Sequence, residues 1–243
     1  MQRENAAVNR ERAAESKFWA NFRVFPYYCD PNLCIIAGVD TSILPPTNKG
    51  RQYEIRAIGL REFAGLRRDD ERLNPFELAH YANLLVASFE QIEPFLTAET
   101  KAHLLGVGSD KWSGGACSQA LFDGRKLIIL NPTHGENRQN ATLMEEICHV
   151  FLGHQPSRLA IETLNKHGKP IARDYRETDE EAAYSVGAAA LVPYSALQTM
   201  ISQGKTSRQI ARHFNVSREL VEYRMKVSRL WDEYKDKVLS GEL

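Results

Sequence analysis

Thr142-Leu143-Met144-Glu145-Glu146-Ile147-Cys148-His149-Val150-Phe151-Leu152-Gly153-His154 is the stretch on which the reading of this chain turns. Leu143, Ile147, Val150 and Phe151 recur at helical spacing, with Thr142, Glu145, Glu146 and His149 interleaved. The pattern predicts a helix over residues 137–152 with one polar face. A zinc peptidase helix of the H-E-x-x-H type sets two histidines one turn apart so that both reach one metal, and the glutamate between them serves as general base. Here Glu146 holds the base position and His149 the second ligand position, while Glu145 stands where the first histidine belongs. Residues at i and i+4 share one helical face, and a carboxylate oxygen is an acceptable zinc ligand. The spacing therefore survives with a changed ligand set. Taken alone, E-E-x-x-H reads more simply as a solvated acidic patch beside a surface histidine.

The flanking sequence changes that balance. Trp112 to Phe122 reads as a strand with a bulge or bend at Gly114-Gly115. Asp123-Gly124 suits a two-residue hairpin turn, and Lys126 to Asn131 is the returning strand, stopped by Pro132. Downstream, Asp179 to Val192 is an Ala-rich helix ended by Pro193. The strands, the linker and Thr142-Leu143-Met144-Glu145-Glu146-Ile147-Cys148-His149 together resemble the ImmA/IrrE metallopeptidase family, in which a hairpin ending I-x-L-N precedes T-L-x-H-E-x-x-H. Glu180 to Pro193 is similar to that family's second helix, E-x-[EQ]-A-N-x-F-A-A-x-L-L-M-P. Ile210 to Arg224 is similar to its L-A-x-x-F-x-V-S-x-x-x-V-x-x-R-L segment. The likeness spans roughly residues 105–230, and the first hundred residues share little of it.

The resemblance implies Glu145, His149 and Glu180 as metal ligands, Glu180 being placed by counting back from Pro193, with Glu146 as the catalytic base. It implies zinc as cofactor. Two carboxylates with one imidazole give the ion more negative charge than two histidines and a glutamate do, so the ion is a weaker Lewis acid. Mn²⁺ or Fe²⁺ then compete with Zn²⁺, and a slow or metal-free site is a further outcome. Other residues are candidates. His154 follows His149 by five residues and returns toward it only if Gly153 ends the helix. His134 sits in the linker before the site helix, and Glu181 competes with Glu180 for the ligand role. Cys148 points about 100° away from His149 around the helix and reads as a packing thiol. Tyr184, one turn after Glu180, reads as a core aromatic or as a group that orients a substrate carbonyl.

The remaining sequence bounds these readings. Lys plus Arg and Asp plus Glu both number 31 in 243 residues, so no global positive charge holds the chain to nucleic acid. With 43% apolar and 26% charged residues the composition is that of a globular protein rather than a disordered one. No apolar run is long enough to span a bilayer, and the charged N-terminus has no secretory h-region. Cys29, Cys34, Cys117 and Cys148 are too scattered for a disulfide scaffold, and a cytoplasmic setting is expected. Cys29 and Cys34 read as two thiols rather than a metal clip.

Residues 1–23 suggest a charged helix or arm. Gln52 to Leu60 alternates like a strand, Asn74 to Gln91 suits one helix opened by Asn74-Pro75, and Ser217 to Lys237 suits another. The order is α+β, with a small antiparallel sheet and helices in a gluzincin-like domain. Three segments are expected: 1–104 as an N-terminal helical extension and start of the domain, 105–200 as the metallopeptidase-like core, and 201–243 as a helical tail. In that tail, residues 206–229 look like a helix-turn-helix with six bases against two acids. Arg218 and Arg224 are its candidate phosphate contacts, although the resembled family carries the same pattern as a helical subdomain near its cleft.

Three functions follow. The first is a metallo-endopeptidase that cleaves a protein, expected to be a DNA-bound transcriptional repressor, in a stress or mobile-element response. The second is a catalytically degenerate relative that binds a partner. The third is a DNA-binding regulator acting through residues 206–229.

Overall fold

The structure, a computed structural model, describes residues 43–154 and 177–240. The N-terminal arm, the Cys29/Cys34 pair and most of the polar loop after His154 lie outside the described residues. Helix α1 (Asn48–Phe63) is capped by Thr47, whose side chain accepts from Gly50 N–H. Its buried residues Glu54, Ala57, Leu60 and Arg61 share one helical face. This corrects the strand expected at Gln52 to Leu60. The buried face carries two charged side chains, so an apolar pattern alone misses its period.

Helix α2 (Pro75–Tyr81) starts as expected, with Asn74 accepting from Phe76 N–H. It does not run on to Gln91. Asn83 adopts a left-handed φ of 57°, and Leu84–Ala87 leaves it as strand β1. A four-residue apolar run fits a buried strand as well as a helical turn, and the backbone reversal at Asn83 decides for the strand. Short helix α3 (Phe89–Ile92) and helix α4 (Ala98–Leu105) lead to strands β2 (Gly114–Ala120) and β3 (Lys126–Leu130).

The sheet has the order β1-β3-β2, with β1 parallel and β2 antiparallel to β3. It is therefore mixed, because the unforeseen β1 adds a parallel edge to the expected hairpin. Leu121 N–H donates to Arg125 O, so Phe122, Asp123 and Gly124 form the loop, one residue longer than expected. Gly124 supplies the positive φ of 84° that the third position of such a loop needs.

Helices α5 (Glu136–Phe151), α6 (Glu177–Leu191), α7 (Tyr194–Ser202), α8 (Ser207–Phe214), α9 (Arg218–Val227) and α10 (Trp231–Ser240) complete the described residues. The long helix expected after Ser217 is two helices, broken where Arg229 takes a left-handed φ of 63°. Asn215 takes the left-handed cap between α8 and α9 at φ 54°, ψ 49°. The α+β class holds.

One hydrophobic core runs from Ala57 to Tyr234. Helix α6 lies at its centre and packs against both α1 and α5. Ala182, Ala183, Val186, Gly187, Ala188, Ala189, Ala190 and Leu191 are all buried in it, so its small residues are what packing on two sides demands. A Cβ on Gly187 would stand 3.3 Å from Met144 Cγ and 3.5 Å from Cys148 Sγ of α5. A Cβ on Gly114 would stand 2.7 Å from Thr142 Cγ2 and 3.2 Å from Ile129 O. These glycines let α6 and β2 approach α5 closely.

Candidate metal centre and cleft

Helix α5 positions most of the site. Its loop from β3 is held by Asn131, which is fully buried. Asn131 Nδ2 donates to Ser109 O at 2.7 Å and Trp112 O at 2.8 Å, while its Oδ1 accepts from Thr133 N–H at 2.9 Å. Gln139 Nε2 in the first turns of α5 donates to Asn131 O at 3.0 Å. The asparagine that ends the hairpin thus fixes where α5 begins.

Along α5, Glu145 and His149 lie one turn apart, and Glu180 approaches from the first turns of α6. The ligand atoms of Glu145, His149 and Glu180 all lie within 4.8 Å of one another. His149 is buried while the two carboxylates are partly exposed. His149 Nε2 stands 3.7 Å from Glu180 Oε1. Carboxylate and imidazole donors at these separations suit a divalent cation. Glu146, between the two α5 members, is buried and is a helical i, i+3 neighbour of His149.

The other candidates fall elsewhere. Glu181 accepts an ion pair from Lys49 Nζ at 2.6 Å, which leaves Glu180 as the acidic member of the group. His134 Nε2 lies 3.4 Å from Asn131 Nδ2, and His134 is not in the group. His154 is not in it either. Its Nδ1 meets His149 Nδ1 at 3.1 Å, on the side of the ring away from Glu180. Cys148 is fully buried, and burial followed by the Glu145 charge pushes its thiol far above the usual range. It packs against Gly187, as expected for a structural thiol.

His154 reaches His149 because α5 ends in a tight reversal. Gly153 takes a left-handed φ of 69°. His154 N–H donates to His149 O at 2.9 Å and Gly153 N–H to Val150 O at 3.1 Å, the paired bonds of a glycine-terminated helix. The imidazoles of His149 and His154 meet edge to face, with centroids 5.1 Å apart at 70°. His154 Nε2 in turn faces Asp179 Oδ1 at 3.9 Å. Burial lowers the His154 pKa, Asp179 opposes that shift, and Arg56 adds to it. Sequence reasoning missed Asp179, because the contact depends on the fold of the α5 terminus rather than on a spacing.

A cleft of about 870 Å³ opens beside Glu145. Arg138 and Thr142 of α5, Ser113, Tyr184 of α6, Asn215 and Ser217 of the α8–α9 turn, and Glu219 and Leu220 of α9 line it. Arg138 Nη2 donates to Ser113 Oγ at 3.1 Å, and Asn215 Nδ2 donates to Glu136 Oε1 at 2.6 Å. Tyr184 therefore borders the cleft instead of lying wholly in the core. Burial, then Tyr223 and Glu145, raise its pKa above the usual phenol value.

The phosphate-contact reading of the tail needs correction at Arg224. That side chain is buried, with Nη2 2.7 Å from Glu54 Oε2 and Nε donating to Val192 O at 3.0 Å. A guanidinium enclosed in this way cannot reach a phosphate. Arg218 is exposed and pairs with Glu222 at 2.6 Å.

The model of the IrrE N-terminal-like domain matches residues 108–226. Residues 108–226 belong to that metallopeptidase family. The IrrE-like segment includes β2, β3, α5, α6 and both helices of the α8–α9 pair, and so carries the whole Glu145, His149 and Glu180 group. Among curated proteins, none matches the chain. No helix of the described residues is long and apolar enough to cross a membrane.

Proposed function

We propose that this chain is a metal-dependent endopeptidase of the ImmA/IrrE type, acting in the cytoplasm on a protein substrate. The observation that carries the reading is the convergence of Glu145, His149 and Glu180 within 4.8 Å, beside a cleft and inside the IrrE-like segment. These three residues would hold the ion. When bound, a divalent cation supplies Lewis acidity to the scissile carbonyl and lowers the pKa of the attacking water. The donor set of two carboxylates and one imidazole makes Mn²⁺ and Fe²⁺ competitors of Zn²⁺.

The chain's own residues supply the rest. Glu146 takes the proton from the attacking water and returns it to the leaving amine. Tyr184, whose phenol carries its proton at neutral pH, donates a hydrogen bond to the carbonyl of a peptide lying in the cleft. Arg138 offers a cation to an acidic side chain or carbonyl of that peptide. A transcriptional repressor in a stress or mobile-element response is the substrate we propose, resting on the family likeness.

Bound metal per chain, measured after dialysis for wild type, Glu145→His and His149→Ala, tests the site. The expected order is Glu145→His above wild type, and wild type above His149→Ala. Glu145→His replaces an anion with the imidazole that zinc favours in a His-His-Glu set. Equal occupancy in all three proteins places any metal elsewhere and removes the peptidase reading. No retention in wild type, with retention in Glu145→His, identifies a degenerate relative that keeps the fold and binds a partner.

A further inference from the structure

Among the described residues that line the cleft, Arg138 is the one cation, and its position does little for folding. It is exposed and stands third in α5, in the turn where the helix dipole disfavours positive charge. Other arginines sit beside carboxylates: Arg68 with Asp70, Arg125 with Asp123, Arg218 with Glu222 and Arg224 with Glu54. Arg138 pairs with no carboxylate among the described residues. Its Nη2 donates to Ser113 Oγ at 3.1 Å, a neutral acceptor that aims the side chain without cancelling its charge. A guanidinium is a fork of several N–H donors, so Arg138 keeps donors to offer into the cleft.

The acids of the same cleft are engaged already. Glu136 Oε1 accepts from Asn215 Nδ2 at 2.6 Å. Glu136 precedes Arg138 by two residues, about 200° around the helix, so one side chain goes to the α8–α9 turn and the other to Ser113 before β2. The Glu219 carboxylate accepts from its own N–H and from Ser217 at the start of α9. Glu145 belongs to the group that converges on His149. A carboxylate entering the cleft therefore finds its unmatched partner at Arg138.

The spacing along α5 sets where on a peptide that partner falls. Arg138, Thr142 and Glu145 stand at i, i+4 and i+7 on one helical face, and all three line the cleft. Seven residues of helix rise about 10 Å, the length of about three residues of extended chain. We propose that the cleft selects a peptide segment carrying an Asp or Glu side chain, which the Arg138 guanidinium binds about three residues from the peptide bond at the metal group. This rests on the peptidase reading for the bond that is cut, and it names the chemistry of the segment that carries that bond.

The test is selection from random dodecapeptides displayed on phage, on the immobilised full chain with Mn²⁺ present. Every protein carries Glu146→Gln, so that peptides are held and not cut. The parent is expected to enrich Asp or Glu at one position about fivefold, the advantage of a good exposed ion pair. Arg138→Gln is expected to lose that preference. Arg138→Glu is expected to enrich Lys or Arg at the same position, a gain that a misfolded protein cannot show. Arg125→Gln, at the hairpin loop, is expected to select like the parent.

A parent that enriches no acidic residue, or no peptide at all, overturns the inference. So does an acidic preference that survives in Arg138→Gln. Metal retention after dialysis judges the peptidase reading separately. Bound metal without acidic selection keeps the peptidase and removes this inference. Acidic selection without bound metal removes the peptidase and leaves Arg138 as the recognition residue of a partner-binding cleft.

Discussion

Helices α5 and α6 and helices α8 and α9 both carry charged side chains at helical spacing within the same IrrE-like segment, yet they use them in opposite ways. In the first pair the charges converge: Glu145, His149 and Glu180 meet, and Glu145 also lines the cleft. In the second pair the basic surplus disperses. Arg224 turns inward to Glu54, Arg218 is neutralised by Glu222, and the turn between the helices faces the cleft. A count of charges along a helix states nothing about where they point. An i, i+4 pair fixes a shared face, whereas the direction of that face depends on what the rest of the chain buries against it.

The largest expected effect lies in the second region. Glu54 and Arg224 are 2% and 4% exposed, and each makes a further hydrogen bond to backbone, Glu54 to Tyr194 N–H and Arg224 to Val192 O. Removing one partner strands the other charge in the core. Arg224→Ala should cost about 3–5 kcal/mol, seen as a fall in Tm of roughly 6–20 °C. Combining Glu54→Leu with Arg224→Met should recover most of that loss, since apolar replacement of a buried pair is often neutral. An Arg224→Ala protein that melts like wild type but loses salt-sensitive binding to duplex DNA would reverse the comparison, returning α9 to a nucleic-acid surface.

A smaller effect is expected where α5 and α6 touch. Gly187 meets Met144 and Cys148 at close to van der Waals distance. Gly187→Val adds three carbons there and should cost about 1–3 kcal/mol through overpacking. It should also reduce metal retention, because moving α6 away from α5 carries Glu180 away from His149. Thermal melting and bound metal, read on the same samples, check both halves. Full retention of metal in a destabilised protein would mean that the site tolerates the shift and that its geometry is set at the α6 N-terminus instead.

The difference between the two regions also explains what the sequence disclosed. The α5 site was legible because its code is local: three residues of one helix at fixed spacing and a fourth counted back from a proline. Helix α8 was legible for the same reason, since Asn215 suits the left-handed position that ends it and Ser217 the cap of the helix that follows. What stayed hidden depends on distant partners. Helix α1 looked like a strand because its core face holds Glu54 and Arg61, whose burial makes sense only beside Arg224 and the Ala190 carbonyl. Strand β1 looked like helix because Leu84 to Ala87 are apolar in either reading, and β3 is the partner that selects the strand. Asp179 was invisible because it needs the Gly153 reversal to bring His154 within reach.

The smallest effect is expected at Arg218, and it separates the two regions most cleanly. Arg218 and Arg224 sit on one helix, six residues apart in sequence, and carry the same charge. Arg218 is exposed and pairs with Glu222 one turn along α9. Such a pair gains little in water, where screening and side-chain entropy offset the attraction. Arg218→Ala should therefore shift Tm by no more than about 2 °C and leave metal retention unchanged. If the basic residues of 206–229 served nucleic acid, Arg218 would be the accessible one, and its loss would lower the salt dependence of duplex binding by about one unit of slope. Fluorescence anisotropy with labelled duplex at several salt concentrations reads that slope directly. An unchanged slope in Arg218→Ala, set against the melting loss in Arg224→Ala, is the expected result, because one arginine ends in solvent and the other in the core.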